Sequence, residues 1–226
     1  DTGMAGASRS LYMDGNATII AANKLLAAMR KEDGTLRTYD EMKAEGIETK
    51  YLGRYETNTT PGLCRLDPNT GIGDPTPAFT YCLNLAEVEV DTKTGKTTVL
   101  KFTCVDFVGR IGNIDAVNGQ AYSGIMHGIG FALKEDYADV KKHANMFGAG
   151  TSYIMDVPDD INLIHIDGAI SDGPFGSSGA SEAFQASGHC AVLNGIYNAC
   201  GVRIHEIPAL PEKVKAGLDA IAKGEK

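Results

Sequence analysis

The sequence predicts an α/β (α+β) fold, with mixed sheets and packed helices in two subdomains. Three observations lead there. Residues 79–108 hold two strand-like runs around one turn, apolar residues recur at helical spacing towards both ends of the chain, and residues 53–77 form a long connection rich in Gly, Pro, Thr and Asn. The expected subdomains are about 1–75 with 150–226, and 76–149.

The elements follow in order. Asp14 can cap a first helix in which Ile19, Ile20, Leu25, Leu26 and Met29 repeat at helical spacing to about Arg30. Thr38 and Glu41 have capping-box spacing for a short helix over 39–45. The 53–77 connection leaves room for one edge strand. A hairpin comes next: Leu85, Glu87 and Glu89 alternate with Ala86, Val88 and Val90, Asp91 to Gly95 turn the chain, and 97–108 return as a β-branched strand. Asp115 is positioned to cap a helix through about Tyr137. Gly119, Gly124, Gly128 and Gly130 lie inside it, each costing about 1 kcal/mol of helix propensity relative to Ala. Such a bare face serves either close helix packing or a non-protein ligand. Residues 134–143 are charged and expected at the surface, with His143 among them. Phe147 to Gly150 reads as a turn and 161–166 as a short buried strand. A helix is expected over 183–200, ended by Gly201, and a strand over 202–207. Pro211 opens an amphipathic helix with Val214, Leu218 and Ile221 inward.

The chain has 226 residues, enough for one large domain or two small ones; 43% are hydrophobic and 22% charged, ordinary for a soluble globular protein. A net charge of -8 with no basic face argues against a nucleic-acid partner. No apolar run reaches the roughly 18 residues that span a bilayer, so no membrane partner is expected. The five cysteines, Cys64, Cys82, Cys104, Cys190 and Cys200, are scattered and form no C-x-x-C. That pattern fits reduced, mostly buried thiols in a cytoplasmic protein and offers no zinc or iron–sulfur ligand set. The five histidines have neither H-x-H nor H-x-x-x-H spacing, so core or supporting roles are expected of them. His189 would fall two turns from Glu182 on the same helix face.

Two small-residue loops carry the chemistry. One is Gly3 to Arg9; the other runs Asp172-Gly173-Pro174-Phe175-Gly176-Ser177-Ser178-Gly179-Ala180-Ser181-Glu182. Glycine and serine let a backbone come close to a ligand, and such loops can aim N–H groups at an anion where a helix starts. Glu182 then stands at the helix mouth, either as a dipole-stabilising carboxylate or as a general base. A desolvating pocket would raise its pKa and a helix N-terminus would lower it. Other chemistries find less support. Gly176-Ser177-Ser178-Gly179 misses the G-x-S-x-G spacing of a hydrolase elbow, and no Lys follows the glycines as in a phosphate-binding Walker loop. Cys190 next to His189 would point away from it on a helix.

Three segments together resemble the molybdopterin-binding large subunit of the molybdenum hydroxylases, the xanthine oxidase and bacterial aldehyde oxidoreductase family. They are Ala5-Gly6-Ala7-Ser8-Arg9 with Asp14-Gly15-Asn16-Ala17; Gly119-Gln120-Ala121-Tyr122-Ser123-Gly124 with His127-Gly128-Ile129-Gly130-Phe131-Ala132-Leu133; and Gly173 through Glu182 with Asn194 and Gly201-Val202-Arg203-Ile204. The closing Leu210-Pro211-Glu212-Lys213-Val214 matches too, and order and spacing hold over nearly the whole chain. The likeness is strongest to the C-terminal part of bacterial aldehyde oxidoreductases that use a molybdopterin cytosine dinucleotide. Two positions depart from the family pattern: Ser181 stands where many relatives have Gly, and His127 where Gln usually precedes the Gly-Ile-Gly triplet.

The resemblance implies a second molybdopterin-binding domain that oxidises aldehydes or hydroxylates aromatic heterocycles with oxygen from water. It implies that Glu182 takes the proton from a Mo–OH group, whose oxygen attacks the substrate carbon while hydride passes to a ligand on Mo. The metal would be held by the pterin dithiolene, with no protein ligand. Cofactor contacts would come from Ala5, Gly6, Ala7, Ser8, Arg9, Gln120, Gly124, Ser177, Ser178, Gly179, Ala180 and Ser181. The implied partners are an N-terminal molybdopterin-binding domain or subunit and an iron–sulfur domain or subunit. The chain is therefore expected to be an excised domain or separately encoded piece, inactive and free of molybdenum on its own. A non-catalytic scaffold that has kept the fold is the alternative reading.

Overall fold

The computed structural model describes residues 6–57, 66–73, 76, 78–170 and 172–224. Cys64 and Ala5 lie outside the described residues. The contacts divide the chain into two compact units, Asp1–Phe79 with Gly168–Gly179, and Thr80–Asp167 with Ala180–Lys226. This differs from the expected grouping: 150–167 and 180–226 join the hairpin rather than the N-terminal segment. The reason is that their strand and helices bury their apolar residues against the hairpin's sheet.

The first unit holds α1 (Ser10–Met29) and α2 (Tyr39–Ala44). The helix α1 begins four residues before the expected cap, because the Met13 N–H already finds the Arg9 carbonyl at 2.9 Å. Its buried anchor is Tyr12, 3% exposed and edge-on to Tyr55 at 6.1 Å between centroids. Burial, with Tyr55 and Asp172 close by, pushes the Tyr12 phenol up from its ordinary value and keeps it neutral. The expected box at α2 forms in full: the Thr38 side chain accepts from the Glu41 N–H, and Glu41 accepts from the Thr38 N–H at 2.7 Å. Among the described residues of 53–77 no strand forms.

The second unit is a three-stranded sheet in the order β1 (Tyr81–Val90), β2 (Thr97–Phe107), β3 (Asp160–His165). The hairpin pair β1/β2 is antiparallel with a bulge at Glu87/Val88, and β2/β3 is parallel, so the sheet is mixed. The turn closes as expected, with the Gly95 N–H on the Asp91 carbonyl at 2.7 Å and Gly95 at φ +78°. The inner face, with Phe102 and Cys104 fully buried, packs on α3 (Ile114–Leu133) and α6 (Gly188–Cys200), burying Ile125, Ile129 and Val192. A second cluster of Ile196, Val202, Ala209 and Val214 seats α7 (Pro211–Ala222).

Several local expectations are corrected. Asn113, not Asp115, caps α3, its Oδ1 accepting from the Ala116 N–H at 3.0 Å. The helix stops at Leu133, where the Lys134 and Glu135 N–H groups both close on the Gly130 carbonyl. In the charged stretch that follows, Glu135 is 6% exposed and accepts from the Tyr137 hydroxyl at 2.8 Å; the His143 side chain is only 16% exposed, beside Asp136. The expected turn at 147–150 is a short helix, α4 (Met146–Ala149), ended by left-handed Gly150. Among the described residues the expected strand over 202–207 finds no partner; Val202 instead fills the hollow left by Gly217 on α7. Ile221 faces outward at 47% exposure. Among the described residues no helix is long and apolar enough to cross a membrane.

Candidate functional site

In the first unit the two small-residue loops meet. Ala7 and Ser8 both adopt φ +54°, as does Phe175, a conformation that side chains other than glycine rarely take. The loops lie backbone to backbone, since a methyl group on Gly179 would run into the Ser8 carbonyl. The second loop is tied to α1 by Asn16 Nδ2, which donates to the Asp172 carbonyl at 3.0 Å, and by Pro174, which occupies the space a Gly15 side chain would need. It is held internally by Ile170 N–H to the Gly176 carbonyl at 2.9 Å and Ser177 N–H to the Pro174 carbonyl at 3.0 Å. Ser177 is buried, Gly6, Ser8, Ser178 and Gly179 are half-buried, and Ala7 and Arg9 are exposed. The result is a fixed surface of small side chains and peptide groups, the kind of surface a phosphate-bearing ligand can approach closely.

In the second unit Glu182 lies in the first turn of α5 (Ser181–Ala186), exposed, as is Ser181; Ala180 is half-buried. What fixes this helix is Phe184, fully buried in the notch at Gly124 on α3. The chain breaks at Ser187, whose Oγ accepts from Asn84 Nδ2 at 2.9 Å, and α6 restarts with Gly188 against Gly128. Two notches on α3 thus seat the two halves of what the sequence suggested as one helix. At Gly124 and Gly128 the glycine face is filled by α5 and α6, so Gly124 serves close packing. A methyl there would come 2.5 Å from Phe184 Cβ. Gln120 is exposed one turn earlier on α3. Because of the break, His189 does not share a helix face with Glu182.

Sequence reasoning missed one buried polar group near the start of α3. Asp106 on β2, 1% exposed, bonds His165 Nδ1 on β3 at 2.6 Å, and His165 Nε2 bonds Asn118 Oδ1 on α3 at 2.8 Å. Desolvation raises the Asp106 carboxyl pKa, and His165 opposes that rise. These partners are 59 and 47 residues apart in sequence; the parallel β2/β3 register sets Asp106 beside His165, and α3 supplies Asn118. Among the described residues no group of three or more His, Cys, Asp or Glu is arranged to hold a metal ion.

The chain matches a family model described as a molybdopterin cofactor-binding domain over residues 1–158. It is 42% identical over 220 residues to the aldehyde oxidoreductase of Megalodesulfovibrio gigas, a match covering 97% of this chain and 24% of that protein. The solved aldehyde oxidoreductase from Desulfovibrio gigas superposes with a TM-score of 0.92 over 96% of this chain and 24% of that one, at 42% identity. The enzyme from Desulfovibrio desulfuricans does so with 0.89 over 95% and 23%, at 45% identity. The chain therefore spans about a quarter of the length of these relatives.

Proposed function

The chain belongs to the molybdopterin cofactor-binding domain family, and from that premise we propose that it forms one cofactor-binding part of a cytoplasmic enzyme that oxidises aldehydes or hydroxylates aromatic heterocycles. The observation that carries this reading is the meeting of the two left-handed, small-residue loops, 6–9 and 172–179, backbone to backbone in one unit. Strained backbone at non-glycine residues persists only where the surroundings over-determine it, and such strain clusters at ligand sites.

The residues present fit a molybdopterin, which this reading takes to be the cytosine dinucleotide form. Gly6, Ala7, Ser8 and Arg9, with Ser177, Ser178 and Gly179, would hold its phosphates and pterin through main-chain donors, hydroxyls and one guanidinium. In the second unit Ala180 and Ser181 would add further contacts beside Glu182. When bound, the group supplies the two-electron oxidation of the substrate carbon, with the new oxygen drawn from water. Glu182 then serves as general base, taking one proton onto its carboxylate. Its place is set by Phe184 in the Gly124 notch, so the carboxylate is carried on a short rigid helix. Exclusion of water would fall in part to a further cofactor-binding domain or subunit, and removal of the electrons would fall to iron–sulfur centres elsewhere in the enzyme.

A direct test is Gly179→Ala in the enzyme assembled with its partner domain. The added methyl forces the two loops apart at Ser8. Molybdenum and pterin content should fall well below one per chain while the far-ultraviolet circular dichroism of the chain is kept. Full cofactor content in a folded Gly179→Ala enzyme would contradict the loop reading.

A further inference from the structure

Cys82 on β1 and Cys104 on β2 point to the same inner face of the sheet, diagonal to one another in the antiparallel register (Cys82 opposite Asp106, Asn84 opposite Cys104). Their sulfurs are 3.4 Å apart and both are free thiols. Cys82 Sγ also lies 3.7 Å from Asn84 Oδ1, and in the contact between the two sulfurs either thiol can be the donor; one form has the Cys104 S–H donating to Cys82. That donation onto Cys82 favours its thiolate and holds its pKa below the usual thiol range, against the pull of burial and of Asp106. Cys104 is pushed up, first by the same hydrogen bond and then by burial. The two differ in access as well: Cys82 is half-buried, whereas Cys104 is 0% exposed.

We infer that Cys82 and Cys104 are an oxidation site, at which hydrogen peroxide converts the pair to a cross-strand disulfide. Cys82, the accessible and more acidic thiol, reacts first: its sulfur attacks a peroxide oxygen, the O–O bond breaks, and the departing oxygen leaves as water. The resulting sulfenic acid meets Cys104, whose sulfur attacks Cys82 Sγ. The S–O bond breaks and a second water leaves with the Cys104 proton. Two thiols lose two electrons and the peroxide gains them, so the step balances without another reagent. The sulfurs must close from 3.4 Å to the bond length of about 2.0 Å. Neighbouring strands can absorb that by side-chain rotation and a small shear of the hairpin. Oxidation also alters the contact of Cys82 with Asn84, the residue that bonds Ser187 at the break between α5 and α6.

The test is a titration of the 226-residue chain with hydrogen peroxide under native conditions. It is followed by denaturation, blocking of remaining thiols and peptide mapping. The expected result is loss of two free thiols per chain, with the Cys82 and Cys104 peptides recovered joined and separated again by dithiothreitol. In Cys104→Ser the joined peptide should vanish, and Cys82 should be trapped by dimedone as the sulfenic acid. Should that variant not fold, the wild-type map decides alone. Cys82 carried on to sulfinic acid with Cys104 still a thiol would overturn the inference, as would Cys82 joined to any other cysteine or both thiols surviving excess peroxide.

Discussion

Substituting alanine at Gly124 and, separately, at Gly119 separates packing from propensity on a single helix. Both residues lie inside α3, so each substitution gains the same roughly 1 kcal/mol of helix propensity. At Gly119 a Cβ meets nothing within 4 Å. At Gly124 it would stand 2.5 Å from Phe184 Cβ, 2.8 Å from the Phe184 carbonyl carbon and 2.9 Å from the Gln185 nitrogen. Two of those atoms are backbone, so a rotamer change cannot relieve the clash, and α5 must retreat by about 1 Å to restore ordinary contact. Overpacking of this kind costs about 1–3 kcal/mol. The propensity gain cancels in the comparison, so Gly119→Ala should be the more stable by about that same 1–3 kcal/mol, with Gly119→Ala itself above the parent. Urea unfolding, or melting at about 2–4 °C per kcal/mol for a chain of this size, reads the difference. Equal stability of the two variants would refute the claim that α5 is seated in the Gly124 notch.

The remaining expectations concern proton linkage. Glu41 is held at a pKa of about 2, chiefly by Lys31 and then by Thr38. A depressed carboxyl stabilises above its unfolded value and loses that contribution as pH falls through the folded one. Carbon-13 titration should therefore place the Glu41 midpoint near 2, and a midpoint in the ordinary glutamate range would contradict the Thr38–Glu41–Lys31 geometry. Asp106 is shifted the other way. Its raised pKa means that its contribution is complete below the unfolded value of about 3.9 and is lost as pH rises through the folded value. Asp106→Asn should flatten that decline in urea-unfolding free energy from about pH 4 upward; an unchanged slope would count against the buried Asp106–His165 arrangement.

Much of the fold can be read directly from sequence, and the exceptions share a physical cause. Thr38-x-x-Glu41 and the alternation along 85–90 act within a few residues, so the box at α2 and the hairpin form where their residues say. The break at Ser187 is followed at once by Gly188, but one Gly inside a helical pattern does not by itself mark a break. The break depends on Asn84 from the distant β1 and on two notches in α3. The same holds for 202–207, where Val202 finds a glycine hollow on α7 rather than a strand to pair with. The glycine-rich α3 allowed both a ligand and close packing, and only the positions of Phe184 and Gly188 decide for packing. The two site loops were visible as runs of small residues. Their left-handed turns at Ala7, Ser8 and Phe175 were not, because those residue types do not favour that conformation.

The most direct measurement of the central claim is turnover by Glu182→Gln in the assembled, cofactor-loaded enzyme, with molybdenum content determined on the same sample. Loss of a positioned general base predicts a fall in kcat of about 10²–10⁴ at unchanged cofactor content. Wild-type turnover at full cofactor loading would show that Glu182 is only a helix-terminal carboxylate and that the proton goes elsewhere.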